Sequence, residues 1–379
     1  MKQLKILSHE TLYRDGEYVA FPNIARLADG TVLCAFRHAK ERQQELGRVT
    51  HIDPTARDVY ILSRDGGNTF DHTLHTICDD EMSEQDPCIT VLRDGRVIAT
   101  YFRWQLVPAG QGPAVFGEER FARYGRTIFN GLYDTCRCGI AYSISDDNGK
   151  TWRDKPTISV DGLPVSGGSV RGNLLELPDG GLLMPVYGPK MRGKELSRSV
   201  LLRSDDRGES FYYYSCIAFD EACQKNYFEP NLFYTAGGKI VALLRTETDV
   251  HAPDAKTKDT YLNLHIAVSE DGGKTFGPVR EIPGLYGSNP FYALSLSSGR
   301  VLVVYGYRKK PFGIRARLCD AELSDLETAQ EIILRDDAPG GDLGYPHAIQ
   351  QSDGTILVVY YIEGQDGVRE IALTRLQEA

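Results

Sequence analysis

Residues 227–245, YFEPNLFYTAGGKIVALLR, carry the strand–turn–strand pattern on which the whole chain is built. An apolar run leads to Gly237-Gly238 and a second apolar run ends at Arg245, which is typical of a β-hairpin. Glu229 stands at the start of the first run. Because antiparallel strands of similar length fold back on each other, the two ends of the hairpin meet at its open end. The stretch therefore predicts that an acid and a base, Glu229 and Arg245, lie side by side.

The same hairpin pattern occurs six times along the chain. Its turns are Asp29-Gly30, Asp94-Gly95, Asp179-Gly180, Gly237-Gly238, Ser298-Gly299 and Asp353-Gly354, at intervals of 65, 85, 58, 61 and 55 residues. The outgoing strands share an apolar character, as in TVLCAFR, KIVALLR, RVLVVYGYR and TILVVYYIE. Six matches at this spacing indicate an internal repeat.

A second motif alternates with the hairpins. It reads Ser-x-Asp-x-Gly-x-Ser/Thr-aromatic and occurs as SRDGGNTF (63–70), SDDNGKTW (145–152), SDDRGESF (204–211) and SEDGGKTF (269–276). The Asp side chain can cap backbone N–H groups of a tight turn, the Gly can take a positive φ, and the aromatic can pack on the sheet. The octets lack the further acidic residues of an EF-hand, so we interpret them as structural turns and expect no metal.

Hairpin and octet together predict a unit of four strands. Six such units favour an all-β fold, a six-bladed β-propeller of four-stranded antiparallel sheets that occupies residues 1–379 as a single domain. The fifth interval has only a degraded octet around Cys319 to Leu326, and the sixth unit is too short for a full sheet. The opening segment LKILSHETLY is therefore expected to supply the missing outer strand of the last blade.

The composition excludes several classes of function. The chain of 379 residues has a net charge of −9, which argues against nucleic acid as a partner. No apolar stretch reaches the length of a signal peptide core or a membrane span, so we expect a cytoplasmic protein without a membrane partner. The eight cysteines lack zinc-type spacing and are expected to be free thiols: residues 34, 78, 88, 136, 138, 216, 223 and 319.

The repeat also places side chains at the central axis. The position eight residues before each turn is equivalent in all six units and lies at the start of the inner strand: Phe21, Asp86, Arg171, Glu229, Pro290 and Tyr345. The position seven residues after each turn glycine lies at the end of the second strand: Arg37, Phe102, Tyr187, Arg245, Gly306 and Tyr361. Both sets are predicted on the face opposite the hairpin tips. Arginines, two acids and tyrosines converge there, which indicates a site.

Two long loops are expected on the same face. The first covers residues 38–57 and the second residues 105–138, in which FGEERFARYG can form a short helix. Long loops on a compact scaffold are usually functional. The second loop either covers the pocket or contacts a neighbouring subunit.

These features resemble the sialidase (neuraminidase) superfamily, whose Asp-box and six-bladed propeller match the octets and hairpins over nearly the whole chain. The resemblance implies a role for individual residues. Glu229 in FEPNL matches the glutamate that activates the nucleophile, and Tyr345 in GYPHAIQQSDG matches the nucleophilic tyrosine. It implies that three arginines bind the substrate, namely Arg245, Arg315 and Arg37. It also implies that Asp53 in THIDP is the acid/base.

One departure from the family pattern bears on the substrate. Members usually begin the first inner strand Phe-Arg-Ile-Pro, whereas this chain has Ala20-Phe21-Pro22, so Ala20 replaces the first arginine of the triad. Arg171, at an axial position, is a candidate to compensate. The loss weakens the case for sialic acid itself more than the case for glycoside chemistry.

The residue types suit the chemistry of an acidic sugar. A carboxylate beside the anomeric carbon would repel a carboxylate nucleophile, whereas a phenol is neutral until Glu229 takes its proton. Structural roles compete with each assignment. Glu229 and Arg245 can form a plain ion pair, Asp53 can cap a turn before Pro54, and Arg171 can pair with Asp86 across the axis.

Three functions follow for this sequence. The first is a retaining exo-glycosidase, a sialidase-like hydrolase that releases a terminal acidic sugar through a Tyr nucleophile. The second is an enzyme on another anionic saccharide, including a lyase in which Tyr345 or a histidine such as His51 or His347 moves a proton. The third is a non-catalytic carbohydrate- or protein-binding propeller. The expected partner is a small saccharide or glycoconjugate with a carboxylate, with no cofactor and no metal.

Overall fold

The computed structural model describes residues 4–78, 81–159, 168–188, 198–222, 224–248, 262–286 and 289–379. Strand β1 (Leu4–Tyr13) is followed by the four strands of blade 1, which are β2 (Tyr18–Arg26), β3 (Val32–Ala39), β4 (Arg57–Ser63) and β5 (His75–Thr76). Helix α1 (Gln43–Leu46) lies in the loop between β3 and β4.

Blade 2 carries the largest insertion. Its strands are β6 (Ser83–Val91), β7 (Val97–Pro108), β8 (Arg126–Ile128), β9 (Tyr133–Ser145) and β10 (Arg153–Lys155). Between β7 and β8 lie α2 (Gly112–Phe116) and α3 (Glu118–Tyr124), and a 3₁₀ turn (Phe129–Gly131) follows β8. Helix α3 confirms the helix predicted in FGEERFARYG.

The remaining blades follow the chain in order. Blade 3 contains β11 (Ser169–Val170), β12 (Leu175–Glu176), β13 (Leu182–Tyr187), β14 (Ser199–Ser204) and β15 (Tyr212–Ala218). Blade 4 contains β16 (Lys225–Tyr234), β17 (Ile240–Thr248), β18 (Asn263–Ser269) and β19 (Arg280–Tyr286). Blade 5 contains β20 (Phe291–Ser295), β21 (Val301–Tyr307), β22 (Gly313–Cys319) and β23 (Glu331–Arg335).

Blade 6 joins the two ends of the described chain. It consists of β24 (Gly344–Gln350), β25 (Ile356–Glu363), β26 (Arg369–Glu378) and, outermost, β1. Strand β1 pairs antiparallel with β26, from Leu4 opposite Glu378 to Tyr13 opposite Ile371. The six sheets form the six-bladed all-β propeller that the repeat predicted.

Each predicted hairpin turn is present, and its glycine explains the turn geometry. Gly30, Gly95, Gly180, Gly238, Gly299 and Gly354 all have φ between 81° and 88°. This left-handed conformation is open to glycine and strained for most other residues. The six glycines therefore fix where each inner strand reverses.

The apolar core is divided among the seams between neighbouring blades. Six buried clusters each combine side chains of two consecutive blades, such as Leu243 and Leu264 of blade 4 with Val303 of blade 5. The cluster between blades 1 and 6 joins Phe36 with Leu373. Each blade therefore packs both faces on neighbours, and its edges point to the axis and to the rim.

The four octets are structural turns, as predicted. In the fourth, Ser269 and Thr275 donate hydroxyl hydrogen bonds of 2.8 and 2.7 Å to Asp271, and the Thr275 N–H donates at 2.9 Å. These donors lower the pKa of Asp271 to about 2. In the degraded fifth octet, Asp320 accepts comparable bonds from Glu322 and Ser324 at 2.8 and 3.0 Å.

Candidate active site

Four inner strands contain the same unusual backbone near their first residues. Phe21, Asp86, Glu229 and Tyr345 have φ of 58°, 63°, 48° and 51°, and a register shift accompanies each one. Each residue precedes a proline, which removes one N–H from the strand pairing. Non-glycine residues with positive φ are strained and concentrate at functional sites. The repeated X-Pro marks these four positions in the sequence, and the sequence analysis did not use it.

Tyr345 and Glu229 meet at the axis although 116 residues separate them. The Tyr345 hydroxyl donates a hydrogen bond of 2.6 Å to Glu229 Oε1. Arg245 Nη1 lies 2.9 Å from Glu229 Oε2 and 3.2 Å from Tyr345 Oη. The predicted neighbours Glu229 and Arg245 thus form an ion pair, and both residues contact the Tyr345 hydroxyl of another blade.

The electrostatics keep the phenol protonated. Burial raises the pKa of Tyr345 well above 10, the charge of Glu229 raises it further, and Arg245 opposes both. Ionisation of this phenol therefore needs a proton acceptor in direct contact, and Glu229 occupies that position. Glu247 holds Arg245 from the other side through a bond of 2.6 Å from Nη2.

Arg308 is a site residue that the sequence analysis missed. Its guanidinium carbon lies 5.8 Å from the centroid of the Tyr345 ring. It donates 3.0 and 3.1 Å hydrogen bonds to the Leu343 carbonyl and the Tyr361 hydroxyl. Arg308 follows β21 directly, two residues beyond the position that was counted as the strand end, Gly306. An even offset keeps the same face of a strand, so the signal was present in RVLVVYGYR.

Arg315 was predicted as a substrate-binding arginine, and the structure does not bring it to this cluster. It lies in β22 and donates a 3.0 Å hydrogen bond to the Pro311 carbonyl and another to the Arg335 carbonyl. Glu331 lies 3.6 Å away. Arg315 is thus engaged by the backbone of its own blade.

Arg171 spans the axis beneath Tyr345. Its Nη2 donates to the carbonyl oxygens of Pro22 and Tyr345, at 2.9 and 3.1 Å, and its guanidinium lies 5.1 Å from the Tyr345 ring centroid. These bonds hold two of the strained segments. Arg171 therefore binds the backbone of Tyr345. This role differs from the predicted one, in which Arg171 compensates for the triad arginine that Ala20 replaces.

Asp86 is enclosed on the blade 2 side of the axis. Burial raises its pKa to about 7, with Arg171 opposing the shift and Glu229 adding to it. The described residues provide no ion-pair partner for Asp86, so the predicted pair with Arg171 is not formed. Its Oδ1 accepts no hydrogen bond from any described residue.

Arg37 is completely buried. It pairs in register with Ala20, the residue that replaces the family arginine, and its guanidinium lies 5.4 Å from the Tyr18 ring centroid. Burial lowers its pKa against the opposing charges of Tyr18 and Asp53. Among the residues that the structure describes, none accepts a hydrogen bond from its guanidinium nitrogens. Arg37 therefore places a positive charge behind the site and not at its surface.

Asp53 is held as a carboxylate. Arg42 Nε donates to it at 2.8 Å, and the Thr55 hydroxyl and N–H donate at 2.6 and 2.9 Å. The bonds from Arg42 and Thr55 outweigh burial and lower the pKa of Asp53. The turn-capping role that competed with catalysis is thus observed. Nothing in the sequence spacing identified Arg42 as the partner.

His51 lies on the far side of Phe21 from the phenol. The Phe21 ring centroid is 5.2 Å from that of His51 and 4.7 Å from that of Tyr345. His51 Nε2 lies 3.6 Å from Asp342 Oδ1, and Asp342 also accepts bonds from Tyr361 and Arg369. The group adds an exposed imidazole to the same opening. His347, in contrast, is buried and accepts from the Ile24 N–H at 3.4 Å.

The loop of residues 105–138 lies against the first loop. Phe129 of this insertion is 5.4 Å from the Arg42 guanidinium, and Arg137 stacks on Phe102 and Trp104 at 4.9 and 4.7 Å. Burial lowers the pKa of Arg137, and the negative charges of Asp86 and Glu229 are among those that oppose the shift. The insertion thus lines one side of the site.

Other expected features concern metals, membranes and thiols. Within the described ranges, no three His, Cys, Asp or Glu side chains are grouped to hold a metal ion. No helix of the described part is long and apolar enough to cross a membrane. The seven described cysteines are free thiols, and Cys223 lies outside the described residues.

Comparison with known proteins supports the family resemblance. The family described as "BNR repeat-like domain" matches residues 129–358. A protein of unknown function from Dyadobacter fermentans is 30% identical, with a TM-score of 0.85 and coverage of 99% of both chains. No curated protein matches the sequence.

More distant structures share the fold. The intramolecular trans-sialidase from Ruminococcus gnavus is 14% identical at a TM-score of 0.64, covering 97% of this chain and 96% of its own. An α-L-arabinanase from Penicillium chrysogenum is 12% identical at a TM-score of 0.65, covering 99% and 98%. With the family match over more than half its length, this chain belongs to the BNR repeat-like domain family, and its propeller is of the sialidase type.

Proposed function

We propose that the protein is a retaining exo-glycosidase that releases a terminal acidic sugar, sialic acid or a relative, with Tyr345 as nucleophile. The observation that carries the proposal is the 2.6 Å hydrogen bond from Tyr345 to Glu229, with Arg245 in contact with both. A buried phenol on a strained residue that donates to an ionised carboxylate is poised to lose its proton. A purely structural tyrosine requires none of this.

In the first step, Tyr345 Oη forms a bond to the anomeric carbon while its proton moves to Glu229 Oε1. The bond to the leaving oxygen breaks, and that oxygen takes a proton from a general acid. In the second step, a water molecule attacks the anomeric carbon, the general acid now accepts the water proton, and Tyr345 leaves and regains its proton from Glu229. Two displacements retain the configuration.

Arg245 and Arg308 are the proposed anchors of the sugar carboxylate. Both lie beside Tyr345 and present guanidinium groups, which bind a carboxylate in a planar two-point contact that lysine cannot reproduce. Ala20 leaves the third position of the family triad without a guanidinium. We therefore expect a weaker grip on the carboxylate than a full triad gives, with Arg37 adding long-range positive potential.

Two carboxyl groups are candidates for the role of general acid. Asp53 matches the family position, yet Arg42 holds its pKa low, so it can donate a proton only if substrate binding draws Arg42 away. Asp86 has a pKa near 7 and retains a proton at mildly acidic pH. The Asp53→Asn and Asp86→Asn variants show which of the two carboxyls is the general acid. An activated aryl leaving group needs no proton, so a substrate that carries one restores activity only in the variant that lacks the general acid.

The experiment is turnover of an aryl α-sialoside, followed by the anomeric configuration of the first product by NMR. We expect hydrolysis with retention, and a loss of at least about 100-fold in Tyr345→Phe and Glu229→Gln. Tyr213→Phe, an exposed tyrosine of blade 3, is the matched control and should keep full activity. An unsaturated product would instead establish a lyase. Binding of the sugar that persists in both variants, without turnover by the wild type, would establish a binding protein.

A further inference from the structure

Two arginines, Arg126 and Arg137, stack on Trp104, and a third, Arg48, acts electrostatically on Arg126. Arg137 in β9 pairs across the strand with Trp104, and Arg126 in β8 pairs with Thr135, two residues from Arg137 on the same face. The guanidinium carbons of Arg137 and Arg126 lie 4.7 and 4.8 Å from a Trp104 ring centroid. Trp104 is fixed by a 3.1 Å bond from Nε1 to Gln85 Oε1. Two cations therefore share one rigid indole.

The third member, Arg48, comes from the first loop. Burial of the guanidinium lowers the pKa of Arg126, and the positive charges of Arg137 and Arg48 lower it further. In the described part of the chain, no carboxylate lies within ion-pair distance of Arg48 or Arg126. Both residues expose surface to solvent, although the guanidinium of Arg126 is covered on one side by Trp104. Arg48 and Arg126 repel each other, and an anion bound between them would relieve that repulsion.

The arginine cluster, residues 48, 126 and 137, extends outward from the catalytic centre. Its inner member, Arg137, pairs across the sheet with Trp104 and packs on Phe102, whereas Arg48 and Arg126 expose surface to solvent. When a terminal sugar is bound at Tyr345, the next saccharide unit of the substrate lies either along this cluster or away from it. Charge favours the cluster when that unit is anionic.

We propose that the arginine cluster is a second subsite, which binds a carboxylate, sulfate or phosphate on the unit next to the sugar that is cleaved. The substrates are then polyanionic saccharides, and the subsite rests on the proposed glycosidase function for its biological meaning. The anion would contact Arg126 and Arg48 directly, with Trp104 as the rigid base. The subsite itself can be tested without any turnover.

Trp104 provides the direct readout, because the chain has only one other tryptophan, Trp152. In a Trp152→Phe background, titration with inorganic sulfate at constant ionic strength should give a saturable change of Trp104 fluorescence. Arg126→Gln should weaken the apparent affinity for sulfate at least tenfold, and Arg126→Lys should recover part of it. Arg64→Gln, which removes an exposed arginine from the first octet, is the matched control and should leave the titration unchanged.

A non-saturable response, or one that survives in Arg126→Gln, would overturn the subsite. Calorimetry of sulfate binding to the otherwise wild-type chain repeats the test in case Trp152→Phe disturbs folding. A second measurement concerns the substrate: the ratio of kcat/KM for an α2,8-linked disialyl oligosaccharide to that for 3′-sialyllactose should fall about tenfold in Arg126→Gln. If the wild type cleaves neither compound, the glycosidase proposal fails, whereas the sulfate titration still decides the cluster.

Discussion

At the scale of single residues, the phenol of Tyr345 is held by its own backbone as much as by its partners. A φ of 51° on a non-glycine residue costs about 1–3 kcal/mol, and the same conformation recurs at Glu229. The surrounding contacts must offset this cost. Arg171 donates to the Tyr345 carbonyl and the Asn289 side chain accepts from its N–H at 3.1 Å, so both backbone groups at the strained residue are bound. The strain aims the hydroxyl at Glu229.

The titration of Asp86 yields a prediction about stability. Its pKa is raised from 3.8 to about 7 in the fold, so the native state binds more protons than the unfolded chain between these values. Wild-type stability must therefore fall with rising pH across this window because of this group, by at most about 1.4 kcal/mol per pH unit. Asp86→Asn removes the dependence. The melting temperature of Asp86→Asn relative to wild type should rise by a few degrees from pH 5 to pH 8.

The control for this experiment is an exposed carboxylate. Asp353→Asn removes a turn aspartate whose pKa is lowered by the Thr355 N–H, and its melting temperature relative to wild type should be flat from pH 5 to pH 8. A flat difference for Asp86→Asn as well would show that this carboxyl is ionised in the fold throughout the range.

At the scale of elements, the positions of the strands could be predicted from the sequence more accurately than the residues at the strand ends that reach the site. Hairpins and octets have rigid local requirements, a positive-φ glycine and a capping aspartate, so their positions can be read from sequence. The end of β21 has no such requirement. Counting a fixed number of residues from Gly299 reached Gly306 and passed over Arg308, while Arg315 was selected from chain order alone. The pairing of Asp53 with Arg42 depends on how one loop folds, which no repeat specifies.

The octets also permit a prediction about metals and acid. Asp271→Ala removes the acceptor of three hydrogen bonds and should lower stability by about 1–2 kcal/mol at pH 7. Since the pKa of Asp271 is lowered to about 2, its contribution is present above pH 4 and is lost as the pH falls toward 2. Thermal melts should show this loss, and EDTA should leave the wild-type melting temperature unchanged.

The neighbouring acid Glu270 provides the control for the octet. Its side chain is exposed and pairs only with Lys239 among the described residues, so Glu270→Ala should change the melting temperature by less than Asp271→Ala does. A fall in wild-type stability on EDTA treatment would mean that the octets hold a cation, contrary to the structural role assigned here.

At the scale of the whole molecule, the ring is closed by contacts between residues far apart in sequence. Arg375 of β26 binds Glu10 of β1 through two bonds of 2.7 and 3.1 Å, and Leu12 and Tyr13 enter the buried seam between blades 1 and 6. The number of blades followed from the count of hairpins. The register of β1 on β26 could not be predicted, because β1 carries neither a hairpin turn nor an octet.

Removal of residues 1–13 therefore tests how the ring is held closed. The truncation exposes the edge of β26 and takes two buried side chains, Leu12 and Tyr13, out of the seam. At about 1.5–3 kcal/mol for each side chain, we expect a loss of at least about 3 kcal/mol in stability and concentration-dependent aggregation through the bare edge. A synthetic peptide of residues 4–13 should raise the melting temperature of the truncated protein by adding back the missing strand, whereas a scrambled peptide of the same composition should not. A truncated chain that stays monomeric with the wild-type melting temperature would show that the seam of blades 1 and 6 closes the ring without β1.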